Sequence, residues 1–370
     1  TFPGGIGQPE YKPVSYDGKY RGPIQVRFAL ANSLNVPAVK MLALVGVEEM
    51  LKIAYDLGLS TLEPTIDNLS RFGLSVTLGG GEVRLLDLTA AYASFANGGQ
   101  KHDTLAILKV EDQEGKILEE NKPDSGKKVL DEGEAFIISS ILSDSQARSE
   151  VFGLVSHLNI PNRQIAVKTG TTNDLRDNWT VGWNPQVVVG VWVGNNDNSP
   201  MKQVASGVTG ASPIWRKIII ESLKGKPAVS FEQPQNIVSA EVDAISGFRS
   251  HDGFPSRSEF FIKGTEPDSD DTIHTNLKIC KSSGGLASPA QIAGGQYEQK
   301  EFIVLIEEDP TAGQTGENKW QQGILEWISK QNDDKYKAPS EYCDSTSNPV
   351  NVEFIKPKDK DRIDITDGKI

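Results

Sequence analysis

Ile165-Ala166-Val167-Lys168-Thr169-Gly170-Thr171-Thr172 joins a short apolar run to a lysine, a glycine and three threonines. The run from Gln164 to Lys168 reads as a strand, and two more strands follow it, Trp179 to Trp183 and Val187 to Val193. Asn184-Pro185-Gln186 turns the second into the third, so the sheet is antiparallel. Gly182, Gly190 and Gly194 recur at even positions, which predicts one sheet face nearly bare of side chains. Glycine in a strand marks the close approach of another element, and a helix over Pro213 to Leu223 fits that place.

Upstream of this sheet the pattern is helical. Residues 1–23, rich in Pro, Gly and Tyr, read as extended chain and turns. Helices are predicted over Gln25 to Asn32, over Asn35 to Leu44 with Asn35 as N-cap, and over Val47 to Leu57 before Gly58. Glu82 to Ala96 forms another, after Gly79-Gly80-Gly81 and before Gly98-Gly99. Ala106 to Val110 and Lys116 to Leu118 read as a small hairpin, and Glu132 to Leu142 as a further helix. Helices, an antiparallel sheet and a closing helix make a mixed α/β (α+β) domain over residues 1–225.

Beyond Gly225 the chain changes character. The formal charge is −12 over all 370 residues, of which −3 falls in residues 1–225 and −9 in 226–370. That balance argues against nucleic acid and against an anionic membrane surface as partners. Residues 231–345 read as an acidic, β-rich accessory module with an internal echo. Val242-Asp243, Ser246-Gly247, Glu259 to Ile262 and Pro267 resemble Ile279-Cys280, Ser283-Gly284, Glu301 to Val304 and Pro310. Trp320 to Lys330 adds a helix, and residues 349–370 read as the start of a further β-sandwich, with a first strand over Val350 to Ile355. The two cysteines, Cys280 and Cys343, have no metal-ligand spacing; a disulfide and two separate thiols stand as equal alternatives. No apolar run approaches the roughly 20 residues that span a bilayer. The chain opens at Thr1 without a signal peptide and reads as a piece of a longer protein.

The chemistry gathers at two places. At the end of its strand, Lys168 offers an ammonium beside the hydroxyls of Thr169 and Thr171, a receptor for a carboxylate. Gly170 lets a ligand backbone lie against the strand edge, where an extended peptide would add as one more strand. Far upstream, Ser33 and Asn35 lie two apart in an interhelical loop, a spacing that can send both side chains into one cleft. Each has an ordinary reading too: a surface lysine before a turn, and a helix-capping Asn with a polar neighbour. His102, His157, His251 and His274 are scattered outside ligand spacing, and Gly79-Gly80-Gly81 lacks the Lys-Ser/Thr of a phosphate loop, so no metal or cofactor is expected. Asp174 and Asp177 read as turn residues beyond the strand, with a carboxylate role in substrate recognition as the alternative.

Ser33-x-Asn35 and Lys168-Thr169-Gly170 are two of the three motifs of penicillin-recognising serine acyltransferases. The flanking blocks DGKYRGPIQVRFALANSLNVPAVKMLALV (17–45), LGGGEVRLLDLTAAYASFANGG (78–99), AVKTGTTNDLRDNWTVGW (166–183) and VWVGNNDNSPM (191–201) resemble the transpeptidase domain of class A, bifunctional penicillin-binding proteins. The resemblance covers about residues 10–225, with a weaker continuation through Gly264-Thr265-Glu266-Pro267. It implies a three-layer fold with a five-stranded antiparallel sheet between helices. It also implies a D,D-transpeptidase, in which a serine attacks the penultimate D-Ala carbonyl of a peptidoglycan stem peptide, and β-lactams mimic the D-Ala-D-Ala end. By position Ser33 would relay a proton, Asn35 would orient the substrate amide and a catalytic lysine, and Lys168, Thr169, Gly170 and Thr171 would receive the substrate. The resemblance further implies a membrane-anchored parent on the extracytoplasmic face, carrying a peptidoglycan glycosyltransferase domain, with other cell-wall synthesis proteins as candidate partners.

The third motif, Ser-x-x-Lys, should precede Ser33, and residues 1–32 do not contain it. Ser125-Gly126-Lys127-Lys128 and Ser199-Pro200-Met201-Lys202 match the string but sit in the wrong places. The expectation is a chain without its own nucleophile, inactive alone. A non-catalytic wall-binding or scaffold protein, and a D,D-carboxypeptidase or β-lactamase-like hydrolase, are the rival readings.

Overall fold

The computed structural model describes residues 1–2, 10–172, 175–201, 209–312 and 316–343. Asp174, Lys202, the predicted strand from Val350 and the whole of 349–370 lie outside the described residues. Close packing divides the chain into two units, Thr1–Asp271 with Ile306–Ser329, and Thr272–Leu305 with Lys330 onward.

The first unit begins with helices α1 (Val26–Ala31), α2 (Asn35–Val45), α3 (Val47–Asp56), α4 (Ile66–Arg71) and α5 (Leu85–Ala96). Helix α5 starts three residues later than Glu82, because the Glu82 carbonyl accepts from the Thr61 hydroxyl at 2.6 Å and Arg84 is still extended. Short ribbons follow: β1 (Gln100–Lys101), β2 (Lys109–Glu111), β3 (Ile117–Glu120) and β4 (Lys127–Lys128), paired β1 with β4 and β2 with β3. Helix α6 (Glu132–Ser143) opens on a capping box between Asp131 and Glu134, and α7 (Ser149–Phe152) is a single turn.

The sheet comes next: β5 (Ala166–Thr171), β6 (Asp177–Asn184) and β7 (Val187–Gly194), antiparallel in the order β5-β6-β7. Helix α8 (Ala211–Ser222) follows. Among the described residues this sheet has three strands, not the five implied by the resemblance, and β5 has a free edge.

The register assigns the two faces. Val167 pairs with Gly182 and Gly182 with Val189, so these share a face with Thr169 and Thr171. Helix α8 covers it, burying Trp215, Ile219 and Leu223 with Val167, Val189 and Val191. Ala166 pairs with Trp183 and Lys168 with Val181, which itself pairs with Gly190, so these occupy the opposite face. There Trp183 packs against Tyr92 and Phe95 of α5 and donates its indole N–H to Ser139 of α6 at 3.1 Å. Each large side chain buried in this way contributes about 1.5–3 kcal/mol.

The expected bare face is therefore divided between the two sides. A Cβ on Gly182 would run into the Trp215 indole of α8, and one on Gly190 into Thr89 of α5. Even spacing places glycines on one face within a strand, but the hairpin register puts Gly182 and Gly190 on opposite faces.

Still within the first unit, β8 (Ile237–Asp243) and β9 (Ser256–Ile262) form a hairpin packed on α1 and α6. Phe260 meets Phe136 edge-on, with ring centroids 5.3 Å apart. Arg27 of α1, 8% exposed, is held by Glu259, whose carboxyl lies at about 2. Burial alone would raise that carboxyl; the Arg27 and Arg257 guanidiniums and the Phe260 N–H overcome it. Beyond the second unit's stretch, α10 (Lys319–Ser329) returns to the first unit, where Trp320 packs on Phe2 with centroids 5.9 Å apart and beneath the Lys40 ammonium.

The second unit holds β10 (His274–Cys280), the short helix α9 (Pro289–Ala293) and β11 (Tyr297–Ile303), with β10 and β11 antiparallel. The sequence echo corresponds to two hairpins, β8-β9 and β10-β11, each built from strands of seven residues. Gly247 and Gly284 take φ near +76° and +75° at matching places after the first strand of each.

Candidate active site

Ser33 owes its position to how α1 ends. The Leu34 N–H donates to Ala29 O at 3.0 Å and the Ser33 N–H to Leu30 O at 3.1 Å. This is a Schellman closure, whose left-handed position usually falls to glycine. Here it is Ser33, at φ +56°. A side chain in that conformation costs about 1–2 kcal/mol. Strain of this kind persists where the surroundings hold it, and here the preceding residue does so. Asn32, 1% exposed, donates to Phe28 O and Ala147 O at 3.0 and 2.7 Å and accepts from the Val151 N–H at 3.0 Å. Its amide staples the end of α1 to the segment before and inside α7.

Lys168 reaches Ser33 from the sheet. On β5 it shares the face of Ala166, toward α1 and α6, and its ammonium donates to Ser33 Oγ at 2.5 Å and to Thr169 O at 2.7 Å. Residues distant in sequence thus meet at the junction of a helix end and a strand end. Among the described residues no carboxylate pairs with this ammonium, and burial pushes it down to about 8. A buried cation without a counter-charge is costly and is relieved by an anion.

The other predicted residues are placed differently. Asn35 is the first residue of α2 rather than its N-cap, which is Leu34, and the Asn35 amide donates to Val14 O at 2.8 Å. Thr169 and Thr171 alternate onto the α8 side of the strand, away from Lys168. Gly170 shares the Lys168 side, and a Cβ there would make only ordinary contact, 3.5 Å from Trp179 Cβ.

A group that sequence reading set aside as a turn closes the far end of β5. Asp177 accepts from the Thr172 hydroxyl at 2.7 Å and from the Trp192 indole N–H at 3.1 Å, while its own N–H donates to Thr172 Oγ1 at 3.1 Å. The carboxylate locks β5, β6 and β7 together directly after the lysine motif. The signal available in sequence was a Thr, an Asp and a Trp at the matching ends of three strands.

Of the two Ser-x-x-Lys strings, the first is described in full, and in the second Lys202 lies outside the described residues. Lys128 is ion-paired to Asp131 at 3.0 Å, and Ser199 donates to Asp197 at 2.7 Å. A cavity of about 490 Å³ lies elsewhere, lined by Arg27, Ser140, Asp144, Gln164, Arg257 and Glu259 among others. It belongs to the ion-paired seat of the β8-β9 hairpin and includes neither Ser33 nor Lys168.

With a serine and a lysine joined across a helix end and a strand end, comparison with known proteins becomes specific. The penicillin binding protein transpeptidase domain profile matches residues 3–219. The chain belongs to this family. Within it, the chain is a class A transpeptidase domain by its relatives. It is 34% identical over 264 residues to penicillin-binding protein 2D of Bacillus subtilis, covering 70% of this chain and 36% of that protein. It is 35% identical over 262 residues to penicillin-binding protein 1A of Aquifex aeolicus, covering 70% and 34%. The chain therefore spans about a third of the length of these relatives. Penicillin-binding protein 1A of Haemophilus influenzae has the same fold at TM-score 0.64 and 24% identity, over 74% of this chain and 45% of that one. PonA1 of Mycobacterium tuberculosis, solved in complex with penicillin V, matches at TM-score 0.53 and 24% identity, over 60% and 62%.

Proposed function

We propose that the edge of β5 beside Ser33 receives the D-Ala-D-Ala end of a peptidoglycan stem peptide for D,D-transpeptidation. The observation that carries this reading is the half-buried Lys168 ammonium, hydrogen-bonded to Ser33 and without a carboxylate partner among the described residues. The terminal carboxylate of the peptide, or the carboxylate of a β-lactam, supplies the missing charge, with Thr169 and Thr171 assisting around the strand edge. The peptide backbone pairs with β5 as an added strand, and Gly170 leaves room for it.

The acyl transfer itself proceeds through a serine that attacks the penultimate D-Ala carbonyl and expels D-Ala, giving an ester that an amine of a neighbouring strand resolves. Ser33 passes the proton between nucleophile and leaving group. Lys168, near neutrality in its titration, keeps the hydroxyl polarised through a 2.5 Å hydrogen bond. Asn35 is the candidate for the substrate amide, and taking that role requires it to leave the Val14 carbonyl.

The nucleophile belongs to a Ser-x-x-Lys segment, and no such segment precedes Ser33 in these 370 residues. On this reading the chain alone is silent, and acyl transfer requires the upstream motif. The whole protein acts on the extracytoplasmic face of the membrane beside a glycosyltransferase domain, the arrangement implied by class A membership. Intact mass after incubation with a penicillin tests it, run on this chain and on the full-length gene product in parallel. A covalent adduct on the full-length protein alone is expected. An adduct on the 370-residue chain would mean one of its own serines is the nucleophile. A folded full-length protein without any adduct would replace the enzyme with a non-catalytic wall-binding protein.

A further inference from the structure

In the second unit, three backbone segments run side by side. Ile279 bridges Leu286 antiparallel, and Leu286 bridges Tyr342 parallel. The Cys280 N–H donates to Gly285 O at 2.8 Å, the Leu286 N–H to Glu341 O at 2.8 Å, and the Cys343 N–H to Leu286 O at 3.0 Å. Gly285 has a packing reason, since a Cβ there would press within 3.1 Å of the Cys343 nitrogen. Cys280, at the end of β10, and Cys343 thus flank one central segment.

Their sulfurs converge. Both touch the same amide: Gln291 Nε2 donates to Cys280 Sγ at 3.2 Å, and the Cys343 thiol donates to Gln291 Oε1 at 2.8 Å. The neighbouring Cys343 thiol is the largest influence holding the Cys280 thiol at about 7, with Ser282 next. Cys280 is buried at 3% exposure, while Cys343 is half-exposed.

We propose that Cys280 and Cys343 form an intramolecular disulfide that fastens residues 341–343 to the β10-β11 hairpin. The oxidant is a second disulfide, either a small molecule such as oxidised glutathione or a protein of the thiol-oxidising class. The half-exposed Cys343 thiolate attacks it first, forming a mixed disulfide and releasing one thiolate. The Cys280 thiolate then attacks Cys343 Sγ and expels the second. The two protons of the cysteines end on the two released thiols, so two electrons pass to the oxidant. Gln291 keeps a partner when the Cys343 S–H is gone, because its Oε1 also accepts from the Ser288 N–H at 2.8 Å.

The bond forms in the cell only if the proposed extracytoplasmic location holds, and the experiment separates the two. The full chain is equilibrated in glutathione buffers from reducing to oxidising, quenched with iodoacetamide, weighed intact and mapped by non-reducing proteolysis. The expected result is joint loss of both alkylation sites and a linked peptide pair carrying Cys280 and Cys343. In Cys280→Ser, Cys343 should remain open to alkylation or glutathione. Two alkylated thiols at the oxidising end, one glutathione on each cysteine, or a link only between chains would overturn the pairing. A bond that forms in buffer but is absent from protein isolated from its host supports the pairing and contradicts the location.

Discussion

The two faces of one sheet, and the two glycines Gly182 and Gly170 on them, obey opposite rules. Gly182 lies under the Trp215 indole in a sealed apolar layer, where the missing side chain is filled by a neighbour. Gly170, on the other face of edge strand β5, would carry a Cβ in no more than ordinary contact with Trp179, and Lys168 lies two residues before it on the same side. The first glycine serves packing. On the proposed function, the second keeps a ligand path open. Identical residues in one sheet separate fold from function by what stands over them.

The largest effect expected is at the sealed face. Gly182→Val must displace Trp215 or shift β6, and should cost about 3 kcal/mol or more, measured by denaturant unfolding. Gly170→Val should leave stability within about 0.5 kcal/mol, yet abolish penicillin acylation of the full-length protein by closing the strand edge. If both variants unfold alike, or both stay active, the distinction between the faces fails.

A smaller effect sharpens the comparison at Ser33. Ser33→Ala and Ser33→Gly both lose the hydroxyl that accepts from Lys168, so acylation should fall in both. Only glycine relieves the left-handed backbone, and Ser33→Gly should be the more stable by about 1 kcal/mol in thermal unfolding. Equal stability would mean that φ +56° at this position carries no strain.

Much of this was legible in the sequence because it is local. The three strands, the helix over Glu132 to Leu142 and the hairpin turn at Asn184-Pro185-Gln186 rest on residues adjacent in the chain. The Ser33–Lys168 contact was legible only through motif resemblance, since nothing local to either residue points to the other. Three features stayed hidden because they depend on register or tertiary contact. The split of Gly182 and Gly190 between faces follows from how β6 pairs with β7. Thr169 and Thr171 fall on the α8 side because β5 continues as a regular strand through the motif, where the sequence pattern ended it at Lys168. Asp177 resembled a turn residue because its partners, Thr172 and Trp192, lie on two other elements.

The account rests on Lys168 as a half-buried cation, without a carboxylate partner among the described residues, awaiting one. The direct test is the affinity of the full-length protein, with its nucleophile replaced by alanine, for a D-Ala-D-Ala-terminated peptide across pH, beside the same protein carrying Lys168→Ala. Below about 8 the lysine is charged with or without ligand, so affinity should be flat and highest. Above that, the empty site loses its proton while the carboxylate-bound site retains it. Binding then takes up a proton, and affinity should fall by up to about tenfold per pH unit. Lys168→Ala should bind weakly and without this slope. A wild-type affinity independent of pH between 7 and 10, or a slope that survives Lys168→Ala, would contradict the assignment of Lys168 as the carboxylate receptor.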